Sequence, residues 1–163
     1  MDLSQFLELF NPYPGNSYLQ ITDKVDATTD ELYKLMESVD GVLNLVIYSD
    51  SKEDLKERYP NAKIQYIDSL TKPFKALPRT NDIVIFKDVF HKHTNKKGIL
   101  KIAYTTLANA AEIVIMQQQG SADVDEILSM LEANEFRSQN QIDLLEGYDL
   151  VMAKKLHMWG NGL

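Results

Sequence analysis

No cysteine occurs among the 163 residues, which excludes disulfides, thiolate nucleophiles and cysteine-ligated zinc or iron–sulfur sites, and suits a reducing compartment. Glycine is scarce, with seven in the chain and none between Gly15 and Gly41. Neither Gly-x-Ser-x-Gly nor Gly-x-x-x-x-Gly-Lys occurs, so the chain has no serine nucleophile elbow and no phosphate loop of that type. No apolar run approaches 18 residues, and no membrane-spanning helix is expected. Met1 to Phe10 carries Asp2 and Glu8 and lacks a basic start followed by a long apolar run, unlike a signal peptide. The expectation is a cytoplasmic protein. A basic face is also missing: the formal net charge is -7, which repels nucleic-acid phosphates and anionic membranes and argues against both as partners. Lys96-Lys97 and Lys154-Lys155 read as solvated surface pairs. Histidine is limited to His91, His93 and His157, too few to suggest a metal site without carboxylates brought in from elsewhere.

What is present fits one folded domain. Hydrophobic residues make up 44% and charged residues 25%, proportions that support a globular core rather than a disordered chain. The length suits a single domain over 1–163, with an N-terminal helix and loop at 1–16 and a core at 17–163. Asp2 is placed to cap a short first helix whose Leu3, Phe6, Leu7 and Phe10 share a face. Tyr18–Ile21 is a short strand. Thr28 and Glu31 have capping-box spacing before a helix with a Leu32, Leu35, Met36 and Val39 stripe, closed at Asp40-Gly41. Val42–Tyr48 is a strand apolar enough to be covered on both faces. A helix from Ser51 to Tyr59, a strand at Ile64–Ile67, a strand at Asp82–Phe86, a helix from about Asn95 to Ala111 and a strand at Ile113–Met116 continue the alternation.

Ser121 reads as the cap of a helix whose Val124, Ile127, Leu128 and Leu131 match the amphipathic template. Gln141–Leu145 and Tyr148–Lys155, joined through Glu146-Gly147, are too close for a crossover and form a hairpin. Five βα units followed by a hairpin predict an α/β fold with a doubly wound, mostly parallel, Rossmann-like sheet ending in an antiparallel hairpin. Ligands in such sheets lie at the carboxyl ends of the strands, in a crevice framed here by the first two strands and the fourth.

From Tyr18 to Trp159 this order resembles the class I S-adenosylmethionine-dependent methyltransferases. Ser49-Asp50-Ser51-Lys52-Glu53-Asp54-Leu55 is similar to the family's acidic residue after the second strand, Asn81 to His91 to its fourth strand and following turn. Leu131-Glu132-Ala133-Asn134-Glu135-Phe136 is similar to Leu-x-x-Ala-Gly-Phe, with Glu135 in place of Gly. The resemblance implies the methyltransferase fold, S-adenosylmethionine as cofactor, Asp50 at its ribose and Asp68 at its adenine. Asp50 reads equally as a carboxylate near a helix N-terminus, and Asp68 as a solvated loop residue. Thr22 and Asp23 fall in the cofactor loop, and Lys87, Asp88, Phe90 and His91 in a cluster beside the substrate, with Asp88 and His91 the candidate catalytic groups.

The chain departs from the family at Gln20-Ile21-Thr22-Asp23-Lys24-Val25-Asp26, where the family has Asp-x-Gly-x-Gly-x-Gly. Side chains cost about 1–2 kcal/mol wherever φ > 0 is required, and a loss of roughly 4 kcal/mol turns a micromolar ligand into a near-millimolar one. The expectation is a protein degenerate in cofactor binding, acting as a non-catalytic interaction or regulatory protein toward a protein partner or as a homodimer. The alternatives are an active methyltransferase with an atypical cofactor loop and a module binding another metabolite in the same crevice. Tyr13, Tyr18 and Trp159 read as packing residues at element ends.

Overall fold

Near-continuous apolar runs become strands here because helices and loops cover both faces of the sheet they form. The computed structural model describes residues 2–51 and 53–156, so His157 and Trp159 lie outside the described residues. The elements are α1 (Ser4–Leu7), β1 (Ser17–Thr22), α2 (Ala27–Ser38), β2 (Val42–Tyr48), β3 (Lys63–Ile67), β4 (Asn81–Lys87), α3 (Lys96–Thr106), β5 (Leu107–Gln118), α4 (Val124–Ala133), β6 (Arg137–Ile142) and β7 (Tyr148–Lys154), with a 3-10 turn at Phe90–Lys92 before α3. The strands form one seven-stranded sheet in the order β3-β2-β1-β4-β5-β7-β6. β1 runs parallel to β2 and β4, β2 to β3, and β4 to β5. β7 is antiparallel to both β5 and β6. Strand order therefore reverses between β1 and β4, and this is the expected doubly wound, mostly parallel sheet with a closing hairpin.

Period-2 alternation divides each strand between two cores. Leu19, Ile21, Val46, Val84, Phe86, Ile113 and Ile115 face α3 and α4, meeting Ile99, Leu100, Ala103, Ile127 and Leu131. Tyr18, Leu43, Leu45, Ile83, Ile85, Val114 and Met116 face α1 and α2, meeting Phe6, Leu32 and Met36. Leu3, not Asp2, is the N-cap residue of α1, although Asp2 Oδ1, one residue earlier, accepts from the Ser4 N–H at 2.9 Å.

Several expectations need correction. α2 is capped by Asp26, whose carboxylate accepts from Thr28 N at 2.9 Å while Thr29 Oγ1 accepts from Asp26 N at 3.3 Å. Thr28 and Glu31 do not form the box. At the other end of α2 the left-handed residue is Asp40, with φ 52°. Gly41 serves a different need, since a Cβ there would lie 2.5 Å from the Asn16 carbonyl oxygen.

No helix follows β2 or β3 among the described residues, so the five βα units are three. The Ser51–Tyr59 stretch offers two buried anchors, Leu55 and Tyr59, too little apolar face for a helix that is too short to stand alone. It forms turns instead, with the Tyr59 ring tilted against Tyr33 at 5.3 Å and its hydroxyl donating to Asp30 at 2.6 Å. α3 stops at Thr106 rather than Ala111. Leu107 onward is pulled into the sheet beside β4, where Leu107 pairs with Asn81. α4 is capped by Asp123 rather than Ser121, its Oδ1 accepting from Asp125 N at 3.0 Å. The first hairpin strand is Arg137–Ile142, earlier than Gln141–Leu145.

Glu135 supplies a direct test of backbone strain. The Phe136 N–H donates to Leu131 O at 3.0 Å and Glu135 N–H to Glu132 O at 3.2 Å, the paired bonds of a Schellman C-cap, and Glu135 sits at its left-handed position with φ 74°. Glycine loses more entropy on folding but avoids the Cβ clash. Glu135→Gly is therefore expected to stabilise the protein by about 0.5–1 kcal/mol, read as a higher urea midpoint at constant slope. A lower midpoint would show that the Glu135 side chain contributes more than its backbone costs.

Candidate functional site

The carboxyl ends of β1, β2, β3 and β4 frame the crevice expected of an open α/β sheet, and charged side chains gather there. Thr22 ends β1 fully buried, its Oγ1 donating to the Lys24 carbonyl at 3.0 Å. No residue from Thr22 to Asp26 has a positive φ. The steric cost anticipated for side chains in place of glycines does not arise, because the loop follows a path open to any L-residue. What the side chains do is fill space. Gln20 is buried, its Oε1 accepting from Thr29 Oγ1 at 2.8 Å while Nε2 has no partner among the described residues.

Lys87, the last residue of β4, is the centre of the arrangement. Its side chain is 2% exposed, and Nζ lies 2.6 Å from Asp26 Oδ2 and 2.8 Å from Asp88 Oδ2. It also donates to Tyr148 Oη at 3.2 Å and sits 5.0 Å from the centroid of that ring. Tyr148 Oη donates in turn to Asp88 Oδ2 at 3.1 Å. Burial alone would lower the Lys87 pKa, but the hydrogen bonds to Asp26, Asp88 and Tyr148 outweigh it and the net shift is upward. The ammonium stays charged and is no nucleophile. Asp88 takes φ 61°, a left-handed conformation of the kind that clusters at functional sites.

A second ion pair spans the same gap: Lys92 Nζ lies 3.2 Å from Asp23 Oδ2. The loop after β1 is thus tied twice to the segment after β4. Farther along the edge, His93 is buried, and its Nδ1 accepts from Asn95 N at 2.9 Å. Nε2, which then carries the proton, donates to the Lys72 carbonyl at 3.0 Å. Tyr48 Oη donates to the same carbonyl at 2.8 Å, and burial raises its pKa to about 12. These bonds pin the β3–β4 connection to the ends of β2 and β4.

The expected residues separate into three places. Asp50 and Asp68 line one cavity of about 430 Å³ beyond β2 and β3, with Tyr66, Ile67 and Pro73. Asp68 pairs with Lys72 Nζ at 2.8 Å. Among the described residues no helix begins between Asp50 and β3, so the reading of that carboxylate as a helix N-terminal charge does not hold. Asp23 and Thr22 belong to the tied loop. The predicted cluster of Lys87, Asp88, Phe90 and His91 does not form as one group. Asp88 joins Lys87, Phe90 is buried in the core at 5.7 Å from Phe86, and His91 lines a smaller cavity of about 180 Å³ against the start of α4. His91 Nδ1 is buried without a partner among the described residues, and burial followed by the neighbouring Lys92 lowers its pKa.

Sequence reasoning missed Asp26, Tyr148 and His93. The one available signal was a lysine closing the apolar run Ile83-Val84-Ile85-Phe86, where strand alternation places it on the α2 face. Among the described residues no three His, Asp or Glu side chains converge as metal ligands, and no helix is long and apolar enough to cross a membrane.

No protein-family model matches the sequence, and a search of curated proteins finds no sequence match. Solved structures do match in shape. An S-adenosylmethionine-dependent methyltransferase from Aquifex aeolicus superposes with a TM-score of 0.73 at 15% identity, over 95% of this chain and 90% of its own. Haemonchus contortus phosphoethanolamine N-methyltransferase 2, in complex with S-adenosyl-L-methionine, gives 0.74 at 9% identity over 95% of this chain and 52% of its own. The CurJ carbon methyltransferase gives 0.72 at 14% identity over 93% of this chain and 51% of its own. The chain thus spans about half the length of the last two. With the strand order, the parallel register and the inserted antiparallel β7, these likenesses establish that the chain has the class I methyltransferase fold.

Proposed function

We propose that this methyltransferase-fold protein does not use S-adenosylmethionine and acts as a non-catalytic interaction or regulatory protein, toward another protein or a second copy of itself. The observation that carries the reading is Lys87. Its ammonium occupies the gap between the ends of β1 and β4 and engages both carboxylates, Asp26 and Asp88, that would otherwise be available to the cationic groups of the cofactor. A sulfonium approaching there meets a buried like charge, and displacing Lys87 would leave it unpaired in a low-dielectric site. The residues present between β1 and β4 do not fit the cofactor. Titration calorimetry with S-adenosylmethionine and with its demethylated product is expected to give no binding tighter than about 1 mM. Low-micromolar affinity for either would overturn the reading.

One observation favours an active methyltransferase with an atypical cofactor loop. Asp50 and Asp68 share a cavity of about 430 Å³, large enough for a nucleoside. Under that reading Asp50→Ala abolishes the affinity measured in the same titration. Unchanged affinity would remove Asp50 from the site.

A further inference from the structure

At the amino ends of the strands, opposite the crevice, the loss of a helix after β3 leaves the α3 and α4 face of the sheet partly uncovered. A cavity of about 480 Å³ lies there. Its floor is apolar: Leu19 is 2% and Val46 1% exposed. Its walls are already in place. Gln65 grips the Lys75 backbone with two bonds, Lys75 N–H donating to Oε1 at 2.9 Å and Nε2 donating to Lys75 O at 3.0 Å. The Leu77 carbonyl is held by Thr80 Oγ1 at 2.8 Å and Thr106 Oγ1 at 2.7 Å. A preformed cleft of this size, with an apolar floor and polar groups on its walls, has the form of a small-molecule site.

The charge lining the cavity runs against that of the chain. The protein carries a formal net charge of -7, yet the cavity is lined by Lys63 and Lys75 and by no Asp or Glu. Neither lysine meets a carboxylate among the described residues. Asp82, which accepts from the Ser17 N–H at 2.9 Å, lines a cavity on the opposite face instead. Asn44 commits its Nδ2 to Ser17 Oγ at 2.8 Å and Asn81 Oδ1 at 3.0 Å, which leaves Oδ1 without a donor among the described residues.

From these features we infer that the cavity binds a small organic anion with an apolar body, such as a carboxylate or sulfonate on a hydrocarbon or aromatic frame. The apolar portion packs on Leu19 and Val46, the anionic group meets Lys63 and Lys75, and a ligand donor is met by Asn44. Gln65 and Lys75 also line the cavity that holds Asp50 and Asp68, whereas Lys63, Leu19, Val46 and Asn44 line this one alone, and the inference needs no cofactor in the carboxyl-end crevice.

The probe is 8-anilinonaphthalene-1-sulfonate, followed by fluorescence at neutral pH. Saturable one-to-one binding is expected, weakened at least about tenfold in the Lys63→Glu, Lys75→Glu double variant. The Lys34→Glu, Lys154→Glu double variant, equal in net charge and altered at exposed positions outside the cavity, should bind as the parent does. Ala76→Trp fills the cavity without changing charge and should abolish binding while circular dichroism and the urea midpoint report a folded chain. Absence of saturable binding below about 1 mM, or equal binding by parent and the Lys63, Lys75 variant, would overturn the inference.

Discussion

Lys87→Met is expected to lower the free energy of unfolding by about 3–5 kcal/mol, the usual cost of removing one partner of a buried ion pair. For a chain of this size that is a fall of about 6–20 °C in Tm. Met keeps the length and the apolar stem of Lys87, so the loss isolates the charge. It leaves the Asp26 and Asp88 carboxylates, formerly 2.6 and 2.8 Å from Nζ, facing each other without a cation. It also takes from Tyr148 Oη its lysine donor at 3.2 Å. A loss under about 1 kcal/mol would place this pair with exposed salt bridges, and the tied-loop description would fail with it.

The pH dependence has a definite sign. The folded-state pKa of Lys87 lies above the ordinary lysine value of 10.5, so its contribution is complete below that pH and is lost as pH rises through the folded value. The gap in stability between parent and Lys87→Met should therefore be constant near neutrality and narrow above about pH 10.5. Tyr18 and Tyr48, each raised to about 12 mainly by burial, destabilise both proteins as the unfolded chain loses their protons. Their effect cancels in the difference.

Phe74→Ala should cost about 3–5 kcal/mol, as a fully buried aromatic side chain does. Phe74 is 1% exposed, in the stretch between β3 and β4 that has no helix to hold it. Its ring meets Phe86 edge-on at 6.0 Å, and Phe86 meets Phe90 at 5.7 Å. This aromatic chain fastens the stretch to the sheet. Urea unfolding measures the loss, and amide exchange across 68–80 should accelerate more than in β4. Uniform acceleration, or a cost below about 1 kcal/mol, would mean that the hydrogen bonds at Lys72 and Leu77 hold the stretch without the ring.

Much of the architecture was legible because it depends on local periodicity. Val42–Tyr48 had to be a doubly covered strand, Val124 to Leu131 matched a helix at each apolar position, and the short link before Tyr148 excluded a crossover. Helix absence was harder to read. Ser51-Lys52-Glu53-Asp54 looks like a helix start, yet Tyr59 gains more from Tyr33 and Asp30 than a two-turn helix would supply. At Asn95 to Ala111 the apolar spacing continues past Thr106, but pairing with β4 captures Leu107 first.

The candidate site divides in the same way. Asp50 and Asp68 were singled out by the family resemblance, and they line one cavity because residues that follow neighbouring parallel strands share one end of the sheet. Glu135 was marked as unusual because it stands where the resembled family has Gly, and its left-handed φ agrees. The loop from Thr22 to Asp26 was expected to strain a backbone that needs glycine, whereas its actual path needs none. Sequence by itself determined the order of the seven strands, the closing hairpin and the end of the sheet where carboxylates gather. Tertiary structure alone decided that Asp26, Asp88 and Tyr148 gather around the buried Lys87 and that His91 faces elsewhere. Strand and helix periodicity is written over a few neighbouring residues, whereas a buried ion pair is selected by the desolvation that follows when distant segments, here 61 residues apart from Lys87 to Tyr148, close over the same charge.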